Sequence, residues 1–572
     1  MKRNWNICSP DETVVDALVK GLNANKLLCQ CLANRGQEDI KSAKRFLYPK
    51  LADLSPPELI PNLSDAVLRL FEARRKKERI VVFGDYDVDG ITSTAILIQS
   101  MGELGWNISS YLPDRMDEGY GLTSDGVKNC IDKHSPHLII AADCGSTSVK
   151  VIEDLNRQAI DVIVLDHHQV CDPPPKPYAL VNPNISLAEG SELRDLCTAG
   201  LAFKLVHGLV KHGRENNEAD FEKYDIRLLL DLVALGTIAD MVPLTGENRI
   251  LAFKGLQQLN RTKRPGLIAL INTCGIKGPI TPYEVGFQLC PRLNAAGRLK
   301  KATASLDLIM AADEKSGVDL ATGLDKNNQD RQRIEKEITR KVKDQLTSDF
   351  DPSNDFVIVA GEPGWNIGVI GIVASKIQRE FYRPTFILGG NPDDMRGSGR
   401  SIKGFDLCGA LDECADHLIR HGGHAMAAGI TLKVDNIESF RERLNSVASE
   451  MLDDADLVPS LRLDAVCSLG ELNLSIVDSL ESLQPLGQSL PLVQAAVLNV
   501  ELFTEIKWMG SEKQHAKLIV TDGDVNTEVV WWNAEGQPQP SGRFDLAVQP
   551  SVNLWRGRRS VQLKLLDWRP SS

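Results

Sequence analysis

The chain has 572 residues, 42% hydrophobic and 25% charged, a globular balance that excludes a mostly disordered or low-complexity protein. Its 77 Asp and Glu against 65 Lys and Arg leave a net charge of -12, which excludes a histone-like protein that coats nucleic acid through bulk positive charge. At roughly 150 residues per domain, the length predicts three or four domains.

The start, Met1-Lys2-Arg3-Asn4, leads into no apolar signal core, and the chain holds no apolar run long enough for a membrane helix, so neither a secretory leader nor a membrane span is expected. The twelve cysteines are scattered without a Cys-x-x-Cys pair, which predicts free thiols in a reducing cytoplasm. Residues 1–50 form a mixed N-terminal segment that ends in a helix-like stretch ahead of Pro56-Pro57.

From Arg79 onward, apolar β-branched runs alternate with amphipathic stretches. Ile80-Val81-Val82-Phe83, Leu138-Ile139-Ile140-Ala141 and Val162-Ile163-Val164-Leu165 read as buried parallel strands, with crossover helices between them. Each run ends directly in Asp or Gly. In an open α/β sheet the ligand site lies beyond the carboxyl ends of the strands, so these acids are expected to meet there. A catalytic α/β domain is thus expected over 51–311. Residues 312–350 are charge-dense, with Ile334, Ile338, Val342 and Leu346 spaced by four, and read as a long connecting helix. A smaller α/β domain follows over 351–453, opening on Phe356-Val357-Ile358-Val359-Ala360 and a Gly-rich loop, with a helix from about Val369 to Glu380. Over 461–572 the pattern changes to short alternating strands holding five of the eight tryptophans, as in a small β-barrel or sandwich. In a small barrel those rings serve either as core or as base-stacking platforms.

The densest chemical signal is Gly84-Asp85-Tyr86-Asp87-Val88-Asp89-Gly90, at the end of the first strand. Three alternating acids repel one another and need solvent or cations. A calcium-binding EF-hand also begins this way, but the twelfth position from Asp85 is Ile96, where a bidentate Glu is required, and the flanking element is a strand. The second strand ends in Asp143, the third in Asp166-His167-His168, and a later apolar run, Leu232 to Ala239, ends in Asp240. A single acid at an element end is usually a cap or a turn former. Four such ends, one with paired imidazoles, point instead to divalent cations such as Mn²⁺, or Mg²⁺ where the acids dominate. Two metals roughly 3.5–4 Å apart, bridged by one carboxylate, would activate water against a phosphoryl centre. Gly397-Ser398-Gly399-Arg400 reads as a Gly-rich turn whose amides, hydroxyl and guanidinium can wrap a phosphate. His134 and His137, lacking acids at ligand spacing, read as a surface turn.

The four acidic segments resemble the motifs of the DHH phosphoesterase superfamily, named for the triplet seen here as Asp166-His167-His168. Further segments resemble its RecJ branch: Leu112-Pro113-Asp114-Arg115, Glu118-Gly119-Tyr120-Gly121-Leu122, and Pro291-Arg292-Leu293-Asn294-Ala295-Ala296-Gly297-Arg298. Gly364-Trp365, Gly368-Val369-Ile370-Gly371, Gly397-Ser398-Gly399-Arg400-Ser401 and Gly422-Gly423-His424 follow in the family's order. Two positions depart from it: Asn366 stands where many relatives carry His, and Cys290 where Gly is common.

The resemblance implies an α/β fold, with a parallel-sheet DHH catalytic domain and a DHH-associated domain joined by the long helix, and an OB-like C-terminal β-barrel. It implies a metal-dependent exonuclease, specific for single-stranded DNA, that works 5′-to-3′, releases mononucleotides and serves DNA repair and recombination. Asp87 and Asp143 are expected to hold one metal, and Asp89, Asp143, His167 and Asp240 the other, with Asp85 either a further ligand or just behind them. His168 is expected to face the scissile phosphate, and Asp166 to orient an imidazole or the local turn; with Asp143 they form the expected catalytic group. Arg115, Arg298, Ser398 and Arg400 are assigned to substrate phosphates, Tyr120 to the terminal nucleotide and His424 to nucleic-acid contact. The expected cofactors are two Mn²⁺ or Mg²⁺. Single-stranded DNA, a single-strand-binding protein and a helicase are the expected partners of a monomer. The alternatives are a short-oligonucleotide or cyclic-dinucleotide phosphodiesterase of the same superfamily, and a non-enzymatic replication scaffold on this fold.

Overall fold

The computed structural model describes residues 3–114, 118–119, 121–299, 302–555 and 557–571. Arg115 and Tyr120, both assigned above to substrate, lie outside the described residues. The chain divides into two compact units, a larger one formed mainly by Asn6–Gly297 and Arg462–Ser572, and a smaller one formed mainly by Gly323–Leu461, which includes Arg298.

In the larger unit five strands make one parallel sheet: β1 (Ile80–Gly84), β2 (Ile108–Tyr111), β3 (Leu138–Ala142), β4 (Asp161–Leu165) and β5 (Ala179–Val181), in the order β2-β1-β3-β4-β5. Every residue of β1 and β3 is buried, which is why these runs are continuously apolar and do not alternate. Helix α1 (Val88–Glu103) leaves β1, while α2 (Thr198–Glu215) and α3 (Leu230–Ala239) pack against it. Gly236 on α3 permits that approach, since a Cβ there would lie 2.5 Å from the Ala199 Cβ and 2.8 Å from an Asp89 carboxylate oxygen. Helix α4 (Gly246–Leu259) follows, and α5 (Cys290–Leu299) ends the stretch.

Helix α6 (Glu314–Asp349) runs from the larger unit into the smaller one. The smaller unit holds β6 (Ile358–Gly361), α7 (Ile370–Phe381), β7 (Thr385–Asn391), β8 (Asp394–Arg400), β9 (Arg420–His424) and β10 (Ala427–Leu432), with sheet order β9-β10-β8-β7-β6. Here the structure corrects the sequence reading: Gly397-Ser398-Gly399-Arg400 is not a turn but a strand inside the sheet. Its glycines relieve crowding and do not bend the chain: a Cβ at Gly399 would lie 2.4 Å from the Phe386 ring, and one at Gly397 2.6 Å from Ile430. The Gly-Gly-His segment is likewise strand β9, with His424 its last residue before the hairpin.

The β-rich tail belongs to the larger unit. Its strands are β11 (Ala465–Val466), β12 (Ala495–Leu502), β13 (Lys507–Met509), β14 (His515–Thr521), β15 (Asn526–Trp531), β16 (Phe544–Trp555) and β17 (Arg558–Pro570), in the order β11-β12-β16-β17-β15-β14-β13. Strand β12 also pairs with β14 through Glu501↔Thr521 and Leu502↔Val520, which brings the sheet back onto itself. Trp568 packs edge-on against buried Phe544, whereas Trp508 and Trp532 are exposed. Buried Arg249 on α4 ties three regions of the unit together: its guanidinium donates to the carbonyls of Phe46 (2.8 Å), Pro485 (2.9 Å) and Leu483 (2.9 Å), and lies 3.6 Å over the Phe46 ring. Among the described residues no helix is long and apolar enough to cross a membrane.

Candidate metal centre and phosphate-binding face

The register of the parallel sheet creates the site. Gly84 pairs with Ala142 and Ala142 with Leu165, so Asp85, Asp143 and Asp166 leave three adjacent strands at the same level. The ladder continues one step further: the Asp85 N–H donates to Ala142 O (3.2 Å), that of Asp143 to Leu165 O (3.0 Å) and that of Asp166 to Val181 O (3.1 Å). Asp143 then takes a left-handed backbone with φ of 66°, unusual for a residue with a side chain and typical of positions that aim a functional group.

Helix ends bring in the other acids. Asp87 caps α1, its carboxylate accepting from the N–H groups of Asp89 (2.9 Å) and Gly90 (3.1 Å). Asp89 accepts from the first N–H groups of α2, Thr198 (2.7 Å) and Ala199 (2.8 Å), where the helix dipole favours a negative charge. The Thr198 hydroxyl donates to Asp143 (2.9 Å). Asp240 stands at the carboxyl end of α3. A Cβ on Gly90 would lie 2.7 Å from Asp85 O, so only glycine admits this tight fold of the turn.

The two imidazoles have different surroundings. His167 points Nε2 among three carboxylates, 3.5 Å from Asp143, 3.5 Å from Asp240 and 3.9 Å from Asp89, and that buried nitrogen has no hydrogen-bond partner. Burial holds the His167 pKa below its ordinary value, which keeps the ring in the neutral, metal-ligating form. His168 hydrogen-bonds through Nδ1 to Asp166 at 2.7 Å, and this bond raises its pKa to about 9 despite burial, so it is cationic at neutral pH. Asp166 is the hub of its turn. Burial opposes its charge, but the bonds from His168 and Ser146 prevail and hold its carboxyl below the ordinary range. It also accepts from the N–H groups of Ser146 (3.1 Å), His167 (2.8 Å) and His168 (3.2 Å).

Ligand atoms converge in three groups, each within 4.8 Å: Asp85, Asp87 and Asp143; Asp89, His167 and Asp240; and Asp143, His167 and His168. Buried carboxylates around an orphaned imidazole nitrogen fit a pair of hard-to-borderline divalent cations, and Asp143 belongs to two of the groups. Burial followed by neighbouring carboxylates raises the pKa values of Asp89 and Asp143, and that of Asp240 to about 8. Because these folded-state values lie above the unfolded ones, their contribution to stability is fully present at low pH and is lost as pH rises through about 8. The metal-free protein should therefore melt at a lower temperature at pH 9 than at pH 6. Added Mn²⁺ should raise the melting temperature more at pH 9, where its ligands carry no protons. A thermal scan with chelator or Mn²⁺ at both pH values tests this; an equal Mn²⁺ gain at both would refute it.

In the smaller unit, Ser398, Arg400 and His424 share one face of the sheet. Arg400 pairs across with Ala427 and Ala427 with His424, while Ser398 pairs with Gly429, so only Ala and Gly floor the space between them. Arg400 donates to the hydroxyls of Ser398 (3.1 Å) and Ser375 on α7 (3.1 Å). A Cβ on Gly371 would come within 3.0 Å of the Ser398 hydroxyl. Arg298 donates to Gly368 O (3.0 Å) in the turn before α7. Asn366, the departure from the family pattern, accepts from the Gly368 N–H (2.9 Å) and shapes that turn.

Sequence reasoning missed several supporting residues. Asn294 accepts from the Val88 N–H (3.1 Å), Asn182 donates to Ser146 and His168 O (both 2.8 Å), and Asn184 donates to His167 O (2.7 Å). Asn182 directly follows β5, a strand-end signal like that of the acids. Thr198 gave no signal, since it reaches the site only through the packing of α2. His134 and His137 stay apart from the acids, with His134 against Ser109 and Tyr111 and His137 accepting from the Arg79 N–H (3.0 Å).

Known families match three stretches of the chain: the DHH family N-terminal domain over residues 79–237, the DHHA1 domain over 354–450 and the RecJ OB domain over 463–567. The single-stranded-DNA-specific exonuclease RecJ of Bacillus subtilis is 35% identical over 573 residues, covering 99% of this chain and 71% of that protein. RecJ of Dickeya dadantii is 34% identical, covering 94% of this chain and 95% of its own length. The crystal structure of RecJ in complex with Mn²⁺ from Thermus thermophilus superimposes with a TM-score of 0.85 at 28% identity, covering 100% of this chain and 80% of that one. The Mg²⁺ complex of the same protein gives 0.79 at 26% identity.

Proposed function

The chain belongs to the RecJ family of single-stranded-DNA-specific exonucleases, and on that premise we propose that it degrades single-stranded DNA from the 5′ end, releasing mononucleotides with two Mn²⁺ or Mg²⁺ bound. The observation that carries this reading is His167 Nε2, buried without a hydrogen bond among Asp89, Asp143 and Asp240. Asp87 and Asp143, with Asp85 beside them, would hold one cation, and Asp89, His167 and Asp240, with Asp143 3.5 Å from His167 Nε2, would hold the other. When bound, the cations supply Lewis-acid charge stabilisation and a water acidic enough to act as nucleophile near neutral pH.

The chain's own groups do the rest. His168, kept cationic by Asp166, faces the scissile phosphate and offers it a positive hydrogen-bond donor. Ser398, Arg400, Arg298 and Arg115 are assigned to phosphates of the strand, Tyr120 to the terminal nucleotide and His424 to nucleic-acid contact. We read 51–311 as the catalytic domain, 312–350 as the connecting helix, 351–453 as the nucleic-acid-binding domain and 461–572 as an OB-like barrel, with 1–50 as an N-terminal segment. The enzyme acts as a cytoplasmic monomer in repair and recombination. A helicase supplies its single strands and a single-strand-binding protein delivers them, because duplex DNA must be opened before a single-strand-specific enzyme can work.

The test is digestion of strands labelled at either end, with Mn²⁺, Mg²⁺ or chelator. The expected result is early release of labelled mononucleotide from the 5′ end, dependent on metal, with duplex left intact. Release from the 3′ end would overturn the direction. Activity confined to dinucleotides would point to a short-oligonucleotide phosphodiesterase, and inactivity with both metals to a non-enzymatic scaffold.

A further inference from the structure

The helix that brings Asn294 to the acidic turn begins with two aromatic rings that none of the roles above uses. From Pro282 to Leu299 the backbone is one continuous helical run, with a wider π-type turn over Val285–Leu289. Tyr283 and Phe287 stand out from it, 61% and 68% exposed. They pack on each other, ring centroids 5.0 Å apart and planes inclined by 31°. A single exposed ring is ordinary, but a paired one beside an active site marks a contact surface.

Pro291 and Asn294 follow Phe287 along the same continuous helical run. At about 1.5 Å per residue, Phe287 stands roughly 10 Å along the axis from Asn294. Asn294 in turn hydrogen-bonds the Val88 N–H between Asp87 and Asp89. The rings thus lie a few nucleotides' reach from the metal centre, within the same unit. The local charge fits the same ligand. In a chain of net charge -12, residues 277–297 of that unit carry two basic side chains, Lys277 and Arg292, and one acid. That acid, Glu284, is engaged in capping Thr281, accepting from its N–H at 2.9 Å.

We infer that Tyr283 and Phe287 form a stacking platform that holds bases of the single strand a few nucleotides away from the bond being cut. The inference rests on single-stranded DNA being the substrate. Every base has a π face, so such a platform grips the strand without regard to sequence, and it needs bases that are unpaired.

Steady-state kinetics with Mn²⁺ on strands of graded length tests this. Phe287→Ala should raise KM on a strand of about 20 nucleotides roughly ten-fold, and Tyr283→Ala with Phe287→Ala further, as expected for loss of base stacking. Phe287→Trp should keep KM near wild type, whereas Phe287→Leu should behave like Phe287→Ala. The deficit should shrink as the strand is shortened towards a dinucleotide. A double variant with unchanged KM would overturn the inference. So would full rescue by leucine, which would reveal an apolar contact and not stacking, or a deficit independent of length, which would reveal damage relayed to the metal centre. Wild-type digestion of the long strand is the control: its failure would refute the substrate, while variants equal to an active wild type would refute only the platform.

Discussion

Asp143→Ala should lower the rate of strand degradation by roughly two to three orders of magnitude, on the scale of removing a preorganised charge-stabilising group. Asp143 belongs to two of the three groups of converging ligand atoms, so its loss weakens both cation sites together. The same change should affect stability in the opposite sense. In the metal-free protein, burial and the carboxylates of Asp89, Asp87 and Asp85 push the Asp143 pKa well up, so its charged form is unfavourable there. The Asp143→Ala protein in chelator should therefore melt above the wild type and gain much less on adding Mn²⁺. Activity and melting curves measured side by side check both halves. Wild-type activity in the variant would refute the role of Asp143, and a lower metal-free melting temperature would refute the electrostatic account.

Lys204→Met should cost about 3–5 kcal/mol of folding stability, the range seen when one partner of a buried ion pair is removed. Lys204 and Glu247 are both fully buried, with Nζ 2.6 Å from the carboxylate. Lys204 also donates to Ser55 O (2.7 Å), and the Ser55 N–H donates to Glu247 (2.6 Å), so the pair anchors the segment ahead of the parallel sheet as well as joining α2 to α4. Removing Lys204 leaves the buried Glu247 carboxyl without its cationic partner. The double change Lys204→Met, Glu247→Met should cost less than Lys204→Met alone, because no buried charge remains. Urea denaturation of the wild type, Lys204→Met, Glu247→Met and the double variant gives the coupling energy; additive effects would show that the two groups do not act as a pair. Lys204 lies on α2, whose first residue Thr198 holds Asp143, so the single variant should also reduce activity at temperatures near its melting point.

The acids of the metal centre were legible because strand ends announce themselves. Ile80–Gly84, Leu138–Ala142 and residues 162–165 are buried on both faces, so they read as unbroken apolar runs, and the polar residue that stops each run marks the carboxyl edge of the sheet. Gly397-Ser398-Gly399-Arg400 misleads for a converse reason. Glycine usually signals a turn, but here Gly397 and Gly399 make room for Ile430 and Phe386 within a sheet. No local pattern distinguishes a glycine needed for bending from one needed for close approach.

Residue types and their order thus determined the fold class, the superfamily and the identity of the acids and imidazoles, since a strand followed by Asp, or by Asp-His-His, carries its chemistry within a few residues. The tertiary structure decided how those groups are used. The left-handed backbone that turns Asp143 inward, the α2 N-terminus that clasps Asp89, the bond that makes His168 a cation while His167 stays neutral, and the buried Lys204–Glu247 pair all take effect only in the packed chain. Their energies depend on burial and on distances of a few ångströms, and neither exists until the chain has folded.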